Sequence, residues 1–257
     1  MHEAIHDPGL ARAIALLRAS RRALALTGAG LSTESGIPDF RSPGGVWERY
    51  RPIDYGEFVR SEEARREHWR YKRETIPVML RARPNAGHAA LARLEDAGRL
   101  AAVVTQNIDG LHQAAGSRNV LELHGTNRAA TCLACDATED IEPVLARLAA
   151  GDEVPRCLAC DGVLKPATVS FGQALPRDVL EAAIRLASEA DCLLAIGSSL
   201  QVQPAASLVE VAKQGGARVV ILTRSATPYD AIADARLAAA LGTTLPALVD
   251  AVVGAPS

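Results

Sequence analysis

The sequence predicts an α/β protein, a doubly wound parallel sheet with a small module inserted into it. Two observations carry this prediction. Short apolar runs that suit buried parallel strands alternate with helical segments along most of the 257 residues. The alternation stops once, where two cysteine pairs occur. We therefore assign residues 1–124 and 166–257 to the sheet domain and residues 125–165 to the module.

The elements follow from their hydrophobic periods, taken in order along the chain. Helical periodicity predicts helices over residues 8–19, 61–82, 85–98, 176–190, 203–216 and 244–254. Apolar runs predict strands over residues 22–27, 100–107, 120–125, 167–172, 191–197 and 217–223. Asn85 is a suitable N-cap for the third helix. Residues 29–60 are rich in Gly, Pro, Ser and Asp, which predicts irregular structure there.

Composition excludes several classes of protein. The formal net charge is -2, so nothing favours an electrostatic nucleic-acid binder. No apolar run reaches the roughly 18 residues that a membrane span needs, and the N-terminus lacks the features of a secretory signal. We therefore expect a cytoplasmic protein without membrane or nucleic-acid partners. In that setting five cysteines favour metal binding or catalysis over disulfides.

A glycine-rich segment follows the first predicted strand and reads GAGLSTESGIPDFR over residues 28–41. Gly28 and Gly30 permit the tight turn and the close backbone approach that a pyrophosphate needs in a Rossmann-like domain, although a plain strand-to-helix turn would explain them equally well. The third glycine of a dehydrogenase fingerprint is replaced by Thr33. Glu48 has the spacing of the usual acidic residue but does not end a strand, so a standard dehydrogenase is disfavoured.

The cysteines of the inserted module form two pairs. Cys132-x2-Cys135 and Cys157-x2-Cys160 are separated by 21 residues. Each pair places two thiolates on one side of a turn, and four thiolates fill a tetrahedral Zn2+ site with no open position. We therefore predict a structural zinc ribbon whose folding depends on the metal. Cys192 lies in an apolar run and is expected to be a core residue.

Polar residues follow two further predicted strands. Gln106, Asn107 and Asp109 come after the second strand, and His124 comes after the third. In open α/β sheets ligands bind beyond the carboxyl ends of strands, so these side chains are expected to face the glycine segment. Histidine is a natural proton acceptor near neutral pH. The GSSL segment at residues 197–200 offers small residues and hydroxyls for an adenosine phosphate or ribose.

Taken together, these motifs resemble the sirtuin (Sir2) family of NAD-dependent protein deacylases. The segments GAGLSTESGIPDFR, TQNIDGLH, LHG, the two cysteine pairs, FG, GSSL and TPYD occur in the family's order. The resemblance runs from about Arg22 to Val253, which is nearly the whole chain. It implies removal of acyl groups from protein lysine with NAD+ as co-substrate, giving nicotinamide, O-acyl-ADP-ribose and free lysine.

The resemblance also implies roles for individual residues. His124 would be the general base, and Asn107 would act with it at the nicotinamide ribose. NAD+ would be bound by Gly28, Ala29, Gly30, Ser32, Ile37, Asp39, Phe40, Arg41, Gln106, Asn107, Ile108, Asp109, Gly197, Ser198, Ser199 and Thr223. Zinc would be bound by Cys132, Cys135, Cys157 and Cys160. The acyl-lysine substrate would contact Phe171, Gly172, Trp69 and Lys72.

Three departures from the family pattern bear on specificity. Thr223 stands where the family commonly has an asparagine for the adenosine ribose, and Gln173 stands where it commonly has a glutamate. Relatives that prefer succinyl-lysine carry Tyr-x-x-Arg on the helix lining the acyl channel, and here Trp69 and Lys72 align with those positions. Because lysine is a point charge on a flexible stem, we expect neutral acyl groups such as acetyl to be preferred.

Two alternatives remain at this point. Some relatives transfer ADP-ribose to protein, and the sequence does not separate that activity from deacylation, although His124 favours deacylation. An NAD-binding module without turnover would be favoured by loss of His124, Asn107 or Asp109, and all three are present.

Overall fold

The computed structural model describes residues 7–39 and 50–255. Within these ranges the helices are α1 (Pro8–Ala19), α2 (Tyr55–Arg60), α3 (Glu62–Arg81), α4 (Ala86–Asp96), α5 (Leu111–Ala114), α6 (Ile141–Ala149), α7 (Arg177–Glu189), α8 (Leu208–Gln214) and α9 (Leu241–Val253). The strands are β1 (Ala23–Thr27), β2 (Leu100–Thr105), β3 (Val120–Glu122), β4 (Gly125–Cys132), β5 (Thr138–Asp140), β6 (Leu164–Thr168), β7 (Cys192–Ile196), β8 (Arg218–Leu222) and β9 (Ala235–Leu237). None of the described helices combines the length and apolar character needed to cross a bilayer.

The larger sheet has the strand order β3-β2-β1-β7-β8-β9 among the described residues, and every pairing in it is parallel. The chain first builds outward from β1 to β3 and then returns to the other side of β1 with β7. This reversal makes a topological switch point between β1 and β7, where such sheets bind ligands. The predicted Rossmann-like, doubly wound parallel sheet is therefore confirmed.

Both faces of this sheet are covered, which explains the uninterrupted apolar runs of its central strands. In β1 the side chains of Ala23 and Ala25 join the core beneath α1, α4 and α9. Leu24 and Leu26 point to the opposite face and join the core beneath α7 and α8. Alternate residues of a strand face opposite sides, so a strand covered on both sides must be apolar throughout.

The smaller sheet has the order β5-β4-β6 and is antiparallel. The strand predicted over residues 167–172 is displaced: β6 covers Leu164–Thr168 and pairs with β4, so it belongs to the small sheet. The apolar run was assigned to the large sheet because periodicity does not report a strand's partner. β6 also crosses the domain boundary predicted between residues 165 and 166. That boundary stays a prediction.

Most predicted helices occur within a few residues of their expected bounds. Asn85 caps α4 as predicted, since its side-chain oxygen accepts hydrogen bonds from the N–H groups of Gly87 and His88. Six of the helices and strands named above were not predicted: α2, α5, α6, β4, β5 and β9. They are three to nine residues long, and segments of that length carry little periodic signal.

Candidate functional site

The glycine segment lies at the switch point of the large sheet, directly after β1. Gly28 N–H donates to the carbonyl of Ile196 at 2.9 Å, and Gly30 N–H donates to that of Gly197 at 2.8 Å. A Cβ on Gly30 would lie 2.8 Å from the Gly197 oxygen, and one on Gly28 would lie 2.8 Å from Ser198 Cβ. Both glycines are therefore required for the contact between the loops that follow β1 and β7. This contact brings two backbone segments to one crevice.

Side chains from the end of β2 complete this crevice. The Asn107 amide donates to the Gly28 carbonyl at 3.1 Å and to Ser32 Oγ at 3.2 Å. Ser32 Oγ in turn donates to Asp109 Oδ2 at 2.7 Å. Gln106 Nε2 donates to Ser198 Oγ at 2.9 Å. The polar residues expected beside the glycine segment therefore form one hydrogen-bonded group with it.

His124 stands at the same edge of the sheet, just after β3. Its Nδ1 lies 2.9 Å from the backbone carbonyl of Gln106. A carbonyl only accepts, so the neutral ring carries its proton on Nδ1 and leaves Nε2 as an acceptor. Burial lowers the pKa of His124, while the hydrogen bond to Gln106 works in the opposite direction. At neutral pH the ring is thus an uncharged base on the wall of the cavity.

A cavity of about 1090 Å3 contains most of the predicted site residues. Those that line it are Gly28, Ala29, Gly30, Asp39, Lys72, Gln106, Asn107, Ile108, His124, Phe171, Gly172, Gly197, Ser198, Ser199 and Thr223. Ser32, Ile37 and Asp109 are buried beside it and do not line it. Phe40 and Arg41 lie outside the described residues. Arg224 and Ser225 also line the cavity, and sequence reasoning missed them, although they directly follow Thr223.

The expected place of Trp69 in the acyl channel is corrected by the structure. Its side chain is fully buried and packs with Ile76 against Ala130, Ile141 and Leu164 of the small module. The residues of α3 that line the cavity are instead Glu67, His68, Tyr71 and Lys72. Neighbouring residues of a helix point about 100° apart, so Trp69 faces a different direction from His68. The alignment by spacing therefore placed Trp69 on the wrong face of α3.

Three basic side chains lie close together here: His68 and Lys72 line the cavity, and Lys165 is buried near them. Lys72 is buried and donates to Asn127 Oδ1 at 2.9 Å. Burial, and then the charge of Lys165, lower the pKa of Lys72 to about 7. Burial lowers the pKa of Lys165 to about 8, and it lowers that of His68 well below 6.5. Among the described residues no carboxylate forms an ion pair with either lysine. Lys72 is therefore about half protonated near pH 7, whereas Lys165 keeps most of its charge there.

The four cysteines of the module fit a tetrahedral zinc ion. All four sulfur atoms lie within 4.8 Å of one another, with Cys132 and Cys160 3.5 Å apart and Cys135 and Cys157 3.8 Å apart. Zinc bonds of about 2.3 Å place sulfurs at roughly 3.8 Å, whereas a disulfide needs about 2.05 Å. A Cβ on Gly162 would lie 2.8 Å from Cys132 Sγ, so this neighbour must be glycine. The donors suit zinc and leave no open position for a substrate.

The comparisons with known proteins agree with this geometry. The sequence pattern of the Sir2 family matches residues 28–204. A protein of Thermodesulfovibrio yellowstonii named NAD-dependent protein deacetylase is 44% identical over 92% of this chain and 93% of its own. A structure of Sir2 with a p53 peptide and NAD+ is 39% identical, with a TM-score of 0.84, over 92% of this chain and 95% of that chain.

A further solved structure has a TM-score of 0.88 and 39% identity over 95% of this chain and 98% of that chain. It is a Sir2 variant with a deacetylated p53 peptide and 3′-O-acetyl ADP ribose. The matched family pattern covers well over half of the chain and includes the glycine segment, His124 and all four cysteines of the module. The chain therefore belongs to the Sir2 family.

Proposed function

We propose that this protein removes acyl groups from lysine side chains of other proteins, with NAD+ consumed as co-substrate. Water is also consumed, and the products are nicotinamide, O-acyl-ADP-ribose and free lysine. The observation that carries the proposal is the position of His124, an uncharged base fixed by Gln106 on the wall of a cavity whose floor is the glycine segment. NAD+ supplies a ribose carbon that becomes electrophilic as nicotinamide leaves.

Different residues along the cavity would bind different parts of NAD+. The segments at Gly28–Gly30 and Gly197–Ser199 offer backbone groups and hydroxyls for the phosphates and the adenosine, with Thr223 beside them. Asn107 would hold the nicotinamide ribose, and Asp109, linked to it through Ser32, would orient the carboxamide. Nε2 of His124 would accept a proton from a ribose hydroxyl.

The acyl-lysine would enter from the side of Phe171 and Gly172, with the acyl chain directed at the wall formed by α3. Phe171 is about half exposed and Gly172 adopts a φ of +76°, a conformation that favours glycine. Lys72 would contact the end of longer acyl chains. Since its amine is mostly neutral above pH 7, the wall favours uncharged acyl groups over succinyl.

A panel of acyl-lysine peptides tests the proposal. Each peptide is incubated with enzyme and NAD+, and mass spectrometry follows free lysine, nicotinamide and acyl-ADP-ribose. We expect the three products in equal amounts from acetyl and other neutral acyl peptides, and none without NAD+. Release of nicotinamide with ADP-ribose attached to protein, and no free lysine, would contradict deacylation. NAD+ binding without any product would contradict enzymatic function.

A further inference from the structure

Two histidines are buried together behind the crevice and have no place in the mechanism above. His88 lies in α4 and His112 in α5, and they are 0% and 1% exposed. Their ring centroids are 5.0 Å apart, edge to face. His88 Nε2 and His112 Nδ1 are both buried and have no hydrogen-bond partner among the described residues. Buried polar atoms of this kind are uncommon and call for an explanation.

The hydrogen bonds determine the proton position on His88. The backbone N–H of Asn85 donates to His88 Nδ1 at 3.3 Å, so Nδ1 is unprotonated. Burial lowers the pKa of His88, while the charge of Asp109 works in the opposite direction. The neutral ring therefore carries its proton on Nε2. His88 consequently presents one unpartnered donor.

His112 is left with an unprotonated nitrogen instead of an unpartnered donor. Thr27 Oγ1 donates its one proton to Thr105 Oγ1 at 2.8 Å. Thr27 must then accept from His112 Nε2, which lies 2.9 Å away. Burial, and then the charge of His88, lower the pKa of His112 to about 3, so its Nδ1 is unprotonated. His112 thus presents one unpartnered acceptor beside the unpartnered donor of His88.

The chain of hydrogen bonds that starts at His112 ends in the site. Thr105 Oγ1 accepts from the backbone N–H of Asn107 at 3.0 Å. The Asn107 amide then donates to the Gly28 carbonyl and to Ser32 Oγ. Thr27 ends β1 and Thr105 ends β2, so this chain links the two strand ends that carry the glycine segment and Asn107.

We propose that His112 and Thr27 are positioning residues for Asn107, and that one buried water accepts from His88 Nε2–H and donates to His112 Nδ1. A water with two such partners satisfies both unpaired atoms, and buried waters commonly make two to four hydrogen bonds. The water fixes the tautomer of His112, His112 fixes the direction of the Thr27 hydroxyl, and Thr27 and Thr105 fix the backbone at Asn107. The expected consequence for NAD+ rests on the proposed function of Asn107.

Histidine tautomers test the first half of this proposal without any assay of activity. Long-range 1H–15N spectra of the whole protein should show both rings protonated on Nε2 at pH 7.5 and neither ring titrating between pH 6.5 and 9. A proton on Nδ1 of His112, or titration of either ring near pH 6.5, would overturn it. A crystal structure at high resolution should show one water between the two rings, and direct contact without water would also overturn it.

Ligand affinity tests the second half. Thr27→Val removes the hydroxyl and keeps the shape, whereas Thr27→Ser keeps the hydroxyl. By calorimetry without peptide, Thr27→Val should bind NAD+ about three- to tenfold more weakly, the range for one lost buried hydrogen bond. Thr27→Ser should restore most of the affinity. ADP lacks the nicotinamide ribose and should bind both variants as it binds the wild type.

Ser20→Ala is the matched control for general destabilisation. Ser20 is buried just before β1, and its hydroxyl donates to Asp191 at the end of the sheet opposite Thr27. Its loss should lower Tm and leave NAD+ affinity unchanged. Equal loss of NAD+ affinity in Ser20→Ala and Thr27→Val, or unchanged affinity in Thr27→Val, would overturn the positioning role. If wild-type protein binds NAD+ but shows no deacylation, the proposed function fails while this test stands.

Discussion

The ring of His124 is held by one backbone contact, and that contact determines its chemistry. Nδ1 donates to the Gln106 carbonyl, so the nitrogen that is free to accept a proton is Nε2. Gln106 also donates to Ser198 on the far side of the switch point. One residue therefore orients the base and ties the two halves of the crevice together. The nitrogen of His124 that carries the ring proton is therefore determined by its hydrogen-bond partner and not by the residue type.

Replacing His124 by Ala should reduce turnover of an acetyl peptide by roughly 10²-fold or more, the usual range for a positioned base. NAD+ affinity should stay near that of the wild type, because the residues proposed to hold NAD+ are contributed by other segments. Steady-state rates and calorimetry measure the two quantities separately. Nearly full activity in this variant would show that another group accepts the proton.

The pH profile provides an independent check on the same residue. The base proposed here would work in its uncharged form, and burial lowers the pKa of His124 below the ordinary 6.5. Activity is therefore retained as pH falls to 6.5 and is lost only below it. The acidic limb of kcat/KM should lie below pH 6.5 in the wild type and be absent from the residual activity of His124→Ala.

If Lys72 contacts the acyl chain as proposed, the preference for acyl chains should depend on pH. Its pKa of about 7 means that the ammonium dominates below pH 7 and the neutral amine above it. The ratio of kcat/KM for succinyl over acetyl peptide should therefore rise as pH falls from 8.5 to 6, while acetyl stays the better substrate at pH 8. The ratio should depend much less on pH in Lys72→Met, where only Lys165 still titrates near this wall. A succinyl preference at pH 8 would contradict this.

At the scale of elements, α3 serves two interfaces at once. One face carries Trp69 and Ile76 into the core of the small module. Another carries His68 and Lys72 to the cavity. His68 and Lys72 are four positions apart and therefore lie side by side on the cavity side of the helix. The helix therefore links the position of the small module to the wall that we propose contacts the acyl chain.

Trp69 should matter for stability and not for acyl selection. Trp69→Ala removes a fully buried side chain and should cost about 3–5 kcal/mol in the free energy of unfolding. Trp69→Phe fills part of the space and should cost less. Denaturant unfolding measures both, and the acetyl-to-succinyl ratio should be unchanged in Trp69→Phe. A changed ratio in that variant would place Trp69 at the channel after all.

At the scale of the whole molecule, two sheets of different construction meet at the cavity. The large sheet has apolar cores on both faces. The core of the small module is much smaller and includes Cys132 and Cys157. A module of this size depends on its metal for much of its folding free energy. The part of the cavity next to α3 therefore depends on zinc, whereas the glycine segment rests on the large sheet.

Cys132→Ala leaves three thiolates and should cause loss of zinc and of acyl-peptide turnover, with a large drop in Tm. Cys192→Ala is the matched control, because Cys192 is buried in β7 and burial raises the pKa of its thiol to about 12. That variant should keep one zinc per chain. Metal analysis and thermal unfolding give the comparison. Full zinc content in Cys132→Ala, or zinc loss in Cys192→Ala, would contradict the assignment.

Much of this architecture is readable in the sequence because its signals are local. The apolar runs of the central strands, the spacing of Gly28 and Gly30 and the two Cys-x2-Cys pairs each lie within a few consecutive residues. Covered strands must be apolar, tight loops need glycine and zinc knuckles need paired thiolates. The fold class, the family and the zinc-binding cysteines therefore follow from the sequence by itself.

Only the tertiary structure decides which distant residues meet. Lys72 and Asn127 are 55 positions apart, and Thr27 and Thr105 are 78 apart. The orientation of α3 sends Trp69 into the module and Lys72 to the cavity. The lowered pKa of Lys72 and the proton positions of His88 and His112 arise from burial and from partners elsewhere in the chain. Proximity and desolvation are properties of the packed molecule, so no local pattern encodes them.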